Sequence, residues 1–301
     1  MGCAYFPPLP APDGAGVGHI EAPQIRELSG LVKSRTYPGV FWGHNDSGDS
    51  ARIFALDADG ALLGEFAVGG AAHVDWEDIA IDDAGNLYLG DIGDNLNRRT
   101  DLRVYRVPEP NPSSSASAVE SDLVIPYRYA DRERRVDLTD FNYDAEALFH
   151  LEGALWIATK HRSDRATRLY RLPMPQTAAE AALSPAATIQ LDEGRVLGLD
   201  LLGNVTGADL HSGGEWLALL TYRAVFILGV TPGAAPSESP HFEILRRIGL
   251  DARRTRQVEA IAWDGDQLVF GNESGDLFRI PDPMAPGVDR YPSRAPESPD
   301  R

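Results

Sequence analysis

Residues 75–83 read DWEDIAIDD. From Ile79 the run has the apolar character of a strand entering a core, yet a carboxylate, Glu77, stands at its mouth between Asp75 and Asp78. The same arrangement recurs at RELSGLVKS (26–34), DAEALFHLE (144–152), NVTGADLHS (204–212) and QVEAIAWDG (257–265). Each opening places an oxygen-bearing residue ahead of an apolar strand: Ser29, Glu77, Glu146, Thr206 and Glu259. Successive positions lie between 48 and 69 residues apart, a period that holds four strands and their loops.

The segments after each opening repeat as well. A second strand comes next (GVFWGHND, NLYLGDIG, ALWIATKH, EWLALLTY, QLVFGNES) and then a third (ARIFALD, LRVYRVP, RLYRLPM, AVFILGV, DLFRIPD). Four of the five units add a fourth: LLGEFAV, DLVIPYRY, ATIQLDE and HFEILRR. The runs are short, aromatic and β-branched, and bounded by Gly, Asp and Pro, as strands are. DADG at 57–60 reads as a hairpin turn. The fifth unit lacks a fourth strand, but VGHIEAP (17–23) stands unpaired ahead of the first. Supplying that strand in the last unit would close the ring and remove exposed sheet edges. The expected fold is all-β: a five-bladed β-propeller closed by an N-terminal strand. Residues 1–16 are expected to be a flexible tether, 17–283 one domain, and 284–301 a disordered Pro-rich tail. The inserts at 108–121 and 176–187 read as peripheral loops, the second with room for one helical turn.

Composition narrows the partners. The net charge is −17 and no run of Lys or Arg occurs, which disfavours nucleic acid and anionic membrane surfaces, since both are recognised by basic patches. No apolar run is long enough for a membrane span. The single cysteine, Cys3, forbids an intrachain disulfide and argues against a thiolate zinc site. Its context, GCAYFPPLPAPDGAG, resembles the mature start of a bacterial lipoprotein, which implies an exported, periplasmic or membrane-anchored protein with a lipid on Cys3. The other reading is a stray cysteine in a floppy N-terminus. A monomer acting on a small anionic substrate is expected.

In a propeller the first strand of each blade lines the central channel, so residues of equal phase converge on the axis. Here the ring would read hydroxyl, carboxylate, carboxylate, hydroxyl, carboxylate. Three carboxylates at an axis repel one another unless a proton or a cation intervenes. Calcium suits such a site, because it takes six to eight oxygens in flexible geometry, whereas magnesium demands a tight octahedron. The absence of imidazole and thiolate from the ring disfavours zinc and copper. Ser29, Glu77, Glu146, Thr206 and Glu259 are therefore the candidate calcium ligands, for catalysis or for structure alone.

These openings resemble those of the SdiA-regulated family of bacterial five-bladed propellers. They are also similar to the calcium-activated nucleotidases (apyrases), whose ring runs Ser, Glu, Glu, Ser, Glu around one axial calcium. ELSGL holds Ser29, DWEDIA Glu77, DAEAL Glu146 and QVEAIA Glu259, while Thr206 of NVTGADL departs conservatively from serine. The resemblance implies the fold and the metal; outside the ring no nucleotidase signature accompanies it.

Each second strand ends beside the start of its first strand, on the ring's own face, and those ends are polar. They carry His44, Asp46, Asp91, Asp94, Tyr222 and Glu273 together with Lys160, His161, Arg162 and Arg223. The face is acidic over the first, second and fifth blades and basic over the third and fourth. Lys160, Arg162 and Arg223 would suit a phosphoryl group. His44 or His161, with Asp46, Asp91 or Asp94, would supply acid–base groups. Gly-Asp, Asn-Asp and Ser-Gly pairs are also ordinary turn formers. Three functions stay open: a calcium-dependent hydrolase of phosphoric esters or anhydrides, a non-catalytic binding propeller with structural calcium, and a calcium-dependent lactonase or esterase.

Overall fold

The computed structural model describes residues 18–132, 141–160, 162–163, 166–174, 179–191, 204–234 and 238–286. They form five sheets in chain order, whose blade strands run antiparallel. Blade one is Leu28–Lys33, Val40–Asn45, Arg52–Asp57 and Leu62–Gly69. Blade two is Trp76–Ile81, Asn86–Asp91, Arg103–Pro108 and Leu123–Tyr129. Blade three is Asp144–Leu151, Ala154–Lys160, Ala166–Pro173 and Pro185–Gln190. Blade four is Val205–Leu210, Trp216–Thr221, Ala224–Thr231 and His241–Gly249. Blade five is Val258–Asp264, Gln267–Asn272 and Asp276–Ile280. Each first strand packs against the first strands of the blades before and after it, and Val258–Asp264 returns to Leu28–Lys33. The five-bladed propeller expected from the sequence is the observed fold.

Closure takes the expected route. Gly18–His19 pairs antiparallel with Asp276–Ile280, Gly18 opposite Leu277 and His19 opposite Asp276. The Ile20 amide then donates to the Gly275 carbonyl at 2.9 Å. Only two residues form the strand, but Ile20 and Ile25 are buried just beyond it, among Leu28, Phe54, Leu56, Ala260, Val269 and Leu277. That cluster seals blade five to blade one. Four similar clusters of the described residues fill the other gaps between consecutive blades. The core is thus a set of wedges. With both faces of each sheet covered, inner strands carry apolar side chains on both sides and lose the in/out alternation of a half-solvated sheet. VFWGHN (Val40–Asn45) and ALWIATK (Ala154–Lys160) are buried along their whole length.

DADG makes the expected hairpin: Asp57 accepts the Asp59 and Ala61 amides on Oδ1, both at 2.9 Å, and Gly60 takes φ +94°. The inserts differ from expectation. Ala118–Glu120 runs parallel to Leu62–Gly69, and Ala181–Leu183 runs parallel to Leu123–Tyr129. Each insert therefore reaches back to the preceding blade and adds a fifth strand. The unpaired amides and carbonyls of an outer strand explain the attraction. Within 176–187 the described residues hold that strand and the start of Pro185–Gln190; 176–178 lie outside them. A helical turn unforeseen in the sequence, Ala252–Thr255, precedes blade five and is capped by the Asp251 side chain. No helix among the described residues is long and apolar enough to cross a membrane.

Candidate metal centre

The backbone explains why the five ring positions are special. In every blade the ladder between first and second strands slips by one residue there: between Ser29 and Leu31, Trp76 and Asp78, Ala145 and Ala147, Val205 and Gly207, Val258 and Ala260. Such bulges leave one residue unpaired and re-aim its side chain. In blades two to five the bulged residue is Glu77, Glu146, Thr206 or Glu259. In blade one it is Gly30, at φ +73°, next to Ser29.

The hydroxyls and the carboxylates behave differently. Ser29 Oγ donates to the Glu77 carbonyl and Thr206 Oγ1 to the Val258 carbonyl, both at 2.7 Å. Each hydroxyl fastens its strand to the next blade. Glu77 and Glu146 instead converge with Asp144, their oxygens within 4.8 Å of one another, and Asp46 and Asp75 form a second such group with Glu77. A Cβ on Gly93 would lie 2.0 Å from Glu77 Oε1 and 2.5 Å from Asp75 Oδ2, so glycine there leaves room for both carboxylates. Glu259 stands apart from these groups. Its Oε1 accepts the Tyr222 hydroxyl at 2.6 Å, and its charge acts on Glu273.

Two cations face the cluster. Lys160, opposite Asp144 in the ladder, places Nζ on Glu146 Oε1. Arg162 Nη2 donates to Asp144 Oδ2 at 2.6 Å and to Asn95 Oδ1 at 2.8 Å. Glu77 is 5 % exposed, and its carboxylate has no hydrogen bond or ion pair among the described residues. Burial, then the charges of Glu146, Asp144 and Asp46, push Glu77 well above the usual carboxylate range. Burial also raises Glu146, against the pull of Lys160. Asp75 rises to about 6 through burial and the charges of Asp144 and Asp46, and Glu273 to about 7 through burial and Glu259. Burial drags on Lys160, but Glu146, Asp144 and Glu77 outweigh it and hold the ammonium more tightly protonated than usual.

The remaining candidates lie around this centre. His44 is fully buried below the mouth, with Nδ1 2.9 Å from the Asn45 carbonyl and the ring 5.6 Å from that of Trp76. Burial lowers it to about 4. Asp91 accepts the Asp75 amide at 3.0 Å and pairs with Arg99 at 2.8 Å. Asp94 accepts the Arg98 and Arg99 amides and pairs with Arg132 at 3.0 Å. Both carboxylates therefore organise the loop between the second and third strands of blade two. Arg223 is half-buried, and its guanidinium has no ion pair among the described residues. His161 lies outside the described residues.

Two features escaped the sequence reading. Asp144 joins the cluster from two positions before Glu146, and a polar residue that close to a ring position is the signal for it. Asp78 turns inward across the channel: Oδ2 accepts the amides of Leu148 (2.8 Å) and Ala208 (3.2 Å), and Oδ1 that of Ile79 (2.9 Å). One carboxyl thus binds blades two, three and four.

The raised carboxyls give a pH test. A ligating carboxylate must shed its proton, so acid weakens metal binding. Asp75 holds its proton below about pH 6, and Glu77 and Glu146 shift the same way. The rise in melting temperature produced by calcium over EGTA is therefore expected to grow from pH 5 to pH 8. Taking the difference at each pH cancels His44 and other groups remote from the metal. A shift constant with pH would exclude these carboxyls as ligands.

No family model and no curated protein matches the chain. Solved structures do match. A putative gluconolactonase is 13 % identical, with 85 % of this chain and 74 % of that one covered, at a TM-score of 0.44. A gluconolactonase from Xanthomonas campestris is 11 % identical, covering 86 % and 88 %, at 0.40. The Cps50 β-propeller domain of Myceliophteria thermophila is 9 % identical, covering 88 % and 86 %, at 0.44. Likeness this slight carries nothing about activity. The fold rests on the chain's own five sheets, and the resemblance to the SdiA-regulated and nucleotidase families rests on the five openings alone.

Proposed function

We propose that the protein is a calcium-dependent hydrolase of phosphoric esters or anhydrides, with the metal held by Glu77, Glu146 and Asp144 and with Asp46 and Asp75 at the mouth. The observation that carries this reading is the buried Glu77 carboxylate, unpartnered among the described residues and aimed into a cluster of like charge. Hard carboxylate oxygens with no imidazole or thiolate suit calcium. Bound there, the ion would supply Lewis acidity toward an ester oxygen. Arg162, beside Asp144, and Arg223 would orient an anionic substrate at the mouth. The Glu259–Glu273 pair, with Glu273 near 7, would accept a proton from water.

One observation favours a second reading. Arg162 and Lys160 are already committed to Asp144 and Glu146, which suits an uncharged ester, and hence a calcium-dependent lactonase or esterase. A panel of phosphomonoester, diester, triester, nucleotide and lactone substrates, each with calcium and with EGTA, separates these. Calcium-dependent turnover of a phosphoester is expected. Turnover of lactone alone selects the second reading, and no turnover with calcium bound leaves a binding propeller. The run GCAYFPPLPAPDGAG supports a separate proposal, export with a lipid on Cys3. Loss of labelled-palmitate incorporation in Cys3→Ser is the expected result.

A further inference from the structure

Lys160 is an unusual choice for this chain. Of its 28 Lys and Arg residues only Lys33 and Lys160 are lysines. Most other buried or half-buried carboxylates that form ion pairs among the described residues pair with arginine, as Asp49 does with Arg52, Asp91 with Arg99 and Asp94 with Arg132, while Lys33 holds Asp264 at the rim. Arginine presents a planar fork that locks onto one carboxylate, whereas an ammonium is a compact point charge with no required geometry. Among side-chain cations it most resembles a metal ion. Lys160 is 8 % exposed, and its ammonium sits on Glu146, with the charges of Asp144 and Glu77 also acting on it.

We infer that Lys160 is a tethered counter-cation, which with Arg162 on Asp144 offsets part of the charge of the Glu77–Asp144–Glu146 cluster in the metal-free protein, leaves Glu146 when a divalent cation enters, and then pairs with the anionic group of a ligand at the mouth. This rests on the calcium reading above. Three carboxylates without any cation would repel strongly in a buried site, and the lysine relieves that repulsion until the metal arrives. Glu146 Oε1 holds either Nζ or the ion, so calcium binding is a competition. By linkage, an anion that captures the freed ammonium tightens calcium binding, and calcium tightens the anion.

Calorimetric titration of wild type and Lys160→Met with calcium tests the competition. Metal-free Lys160→Met is expected to melt lower and to bind calcium roughly tenfold tighter or more, since no buried ion pair need be broken. Wild type that binds while the variant binds no tighter overturns the inference and leaves the calcium reading standing. If neither binds, both fall. Should the variant fail to fold, amine labelling of wild type followed by mass spectrometry serves instead, with Lys33, paired to Asp264 at the far end of its strand, as internal reference. Calcium is expected to raise the labelling rate of Lys160 about threefold or more over EGTA, as a released ammonium becomes accessible, with Lys33 unchanged. An unaltered Lys160 rate under calcium that measurably shifts the melting temperature overturns the inference.

Discussion

Asp78→Ala is expected to cost about 3 kcal/mol of stability or more, because it strands three buried amides at roughly 1–3 kcal/mol each. The amides are those of Ile79, Leu148 and Ala208, contributed by three different blades. For a domain whose whole stability is about 5–15 kcal/mol this is a large fraction. At about 2 °C per kcal/mol, the low end of the range for large domains, melting should drop by about 6 °C or more. Asp78→Asn keeps one acceptor oxygen but turns an amide donor toward other donors, so it should fall between. Urea or thermal unfolding measures both. An alanine variant within about 1 kcal/mol of wild type would show that water takes over the three amides and that the carboxyl does not bind the blades.

Removing residues 1–24 is expected to abolish cooperative unfolding and leave mostly aggregated protein. The truncation strips Gly18–His19 from the edge of Asp276–Ile280 and takes Ile20 from the wedge between blades five and one. Burying one isoleucine contributes about 1.5–3 kcal/mol. The greater damage is that Leu277, Leu56 and Phe54 lose cover while a sheet edge opens to other chains. It also removes the Gln24 carbonyl, which accepts from Asn45 Nδ2 at 2.9 Å and Arg52 Nη2 at 3.3 Å. Soluble yield and a thermal melt decide the matter. A truncated protein that melts like the full chain would mean that blade five holds its place without the strand. Ile20→Asp, which keeps the backbone pairing and spoils only the wedge, should be intermediate.

The sequence reveals the blades because each inner strand is covered on both faces and is apolar along most of its length, while each first strand begins with a polar residue at the axis. The closing strand is legible by arithmetic, since one unit lacks a fourth strand and one strand lacks a unit. The site is less legible. Ser29 and Thr206 share the phase of the three glutamates, yet their short side chains reach a neighbouring carbonyl and serve as fasteners. Phase along a strand says which way a residue points, and its length and chemistry decide what it reaches. Asp91 and Asp94 resemble acid–base groups in sequence, but their partners, Arg99 and Arg132, come from irregular segments that carry no periodic signal. Lys160 is the instructive case. As a basic residue at a strand end it suggests a substrate contact. The antiparallel register sets it opposite Asp144 and beside Glu146, an outcome available from the alignment of first and second strands alone.

The two parallel strands at Ala118–Glu120 and Ala181–Leu183 make the ring uneven. They lace blade two to blade one and blade three to blade two through backbone hydrogen bonds, and the described residues show no such lacing among blades three, four and five. Closure there depends on wedge packing, a strand of two residues and side-chain ties such as Asp78 to Leu148 and Ala208, Thr206 to Val258, Asp209 to Trp263 and Lys33 to Asp264. Native proteins open first where few backbone bonds cross a boundary. The slowest amide exchange should therefore lie in the first three blades. Transient opening should begin at the junction of blades five and one, so this propeller unzips from a seam whose position is set by insert loops a hundred residues away in sequence.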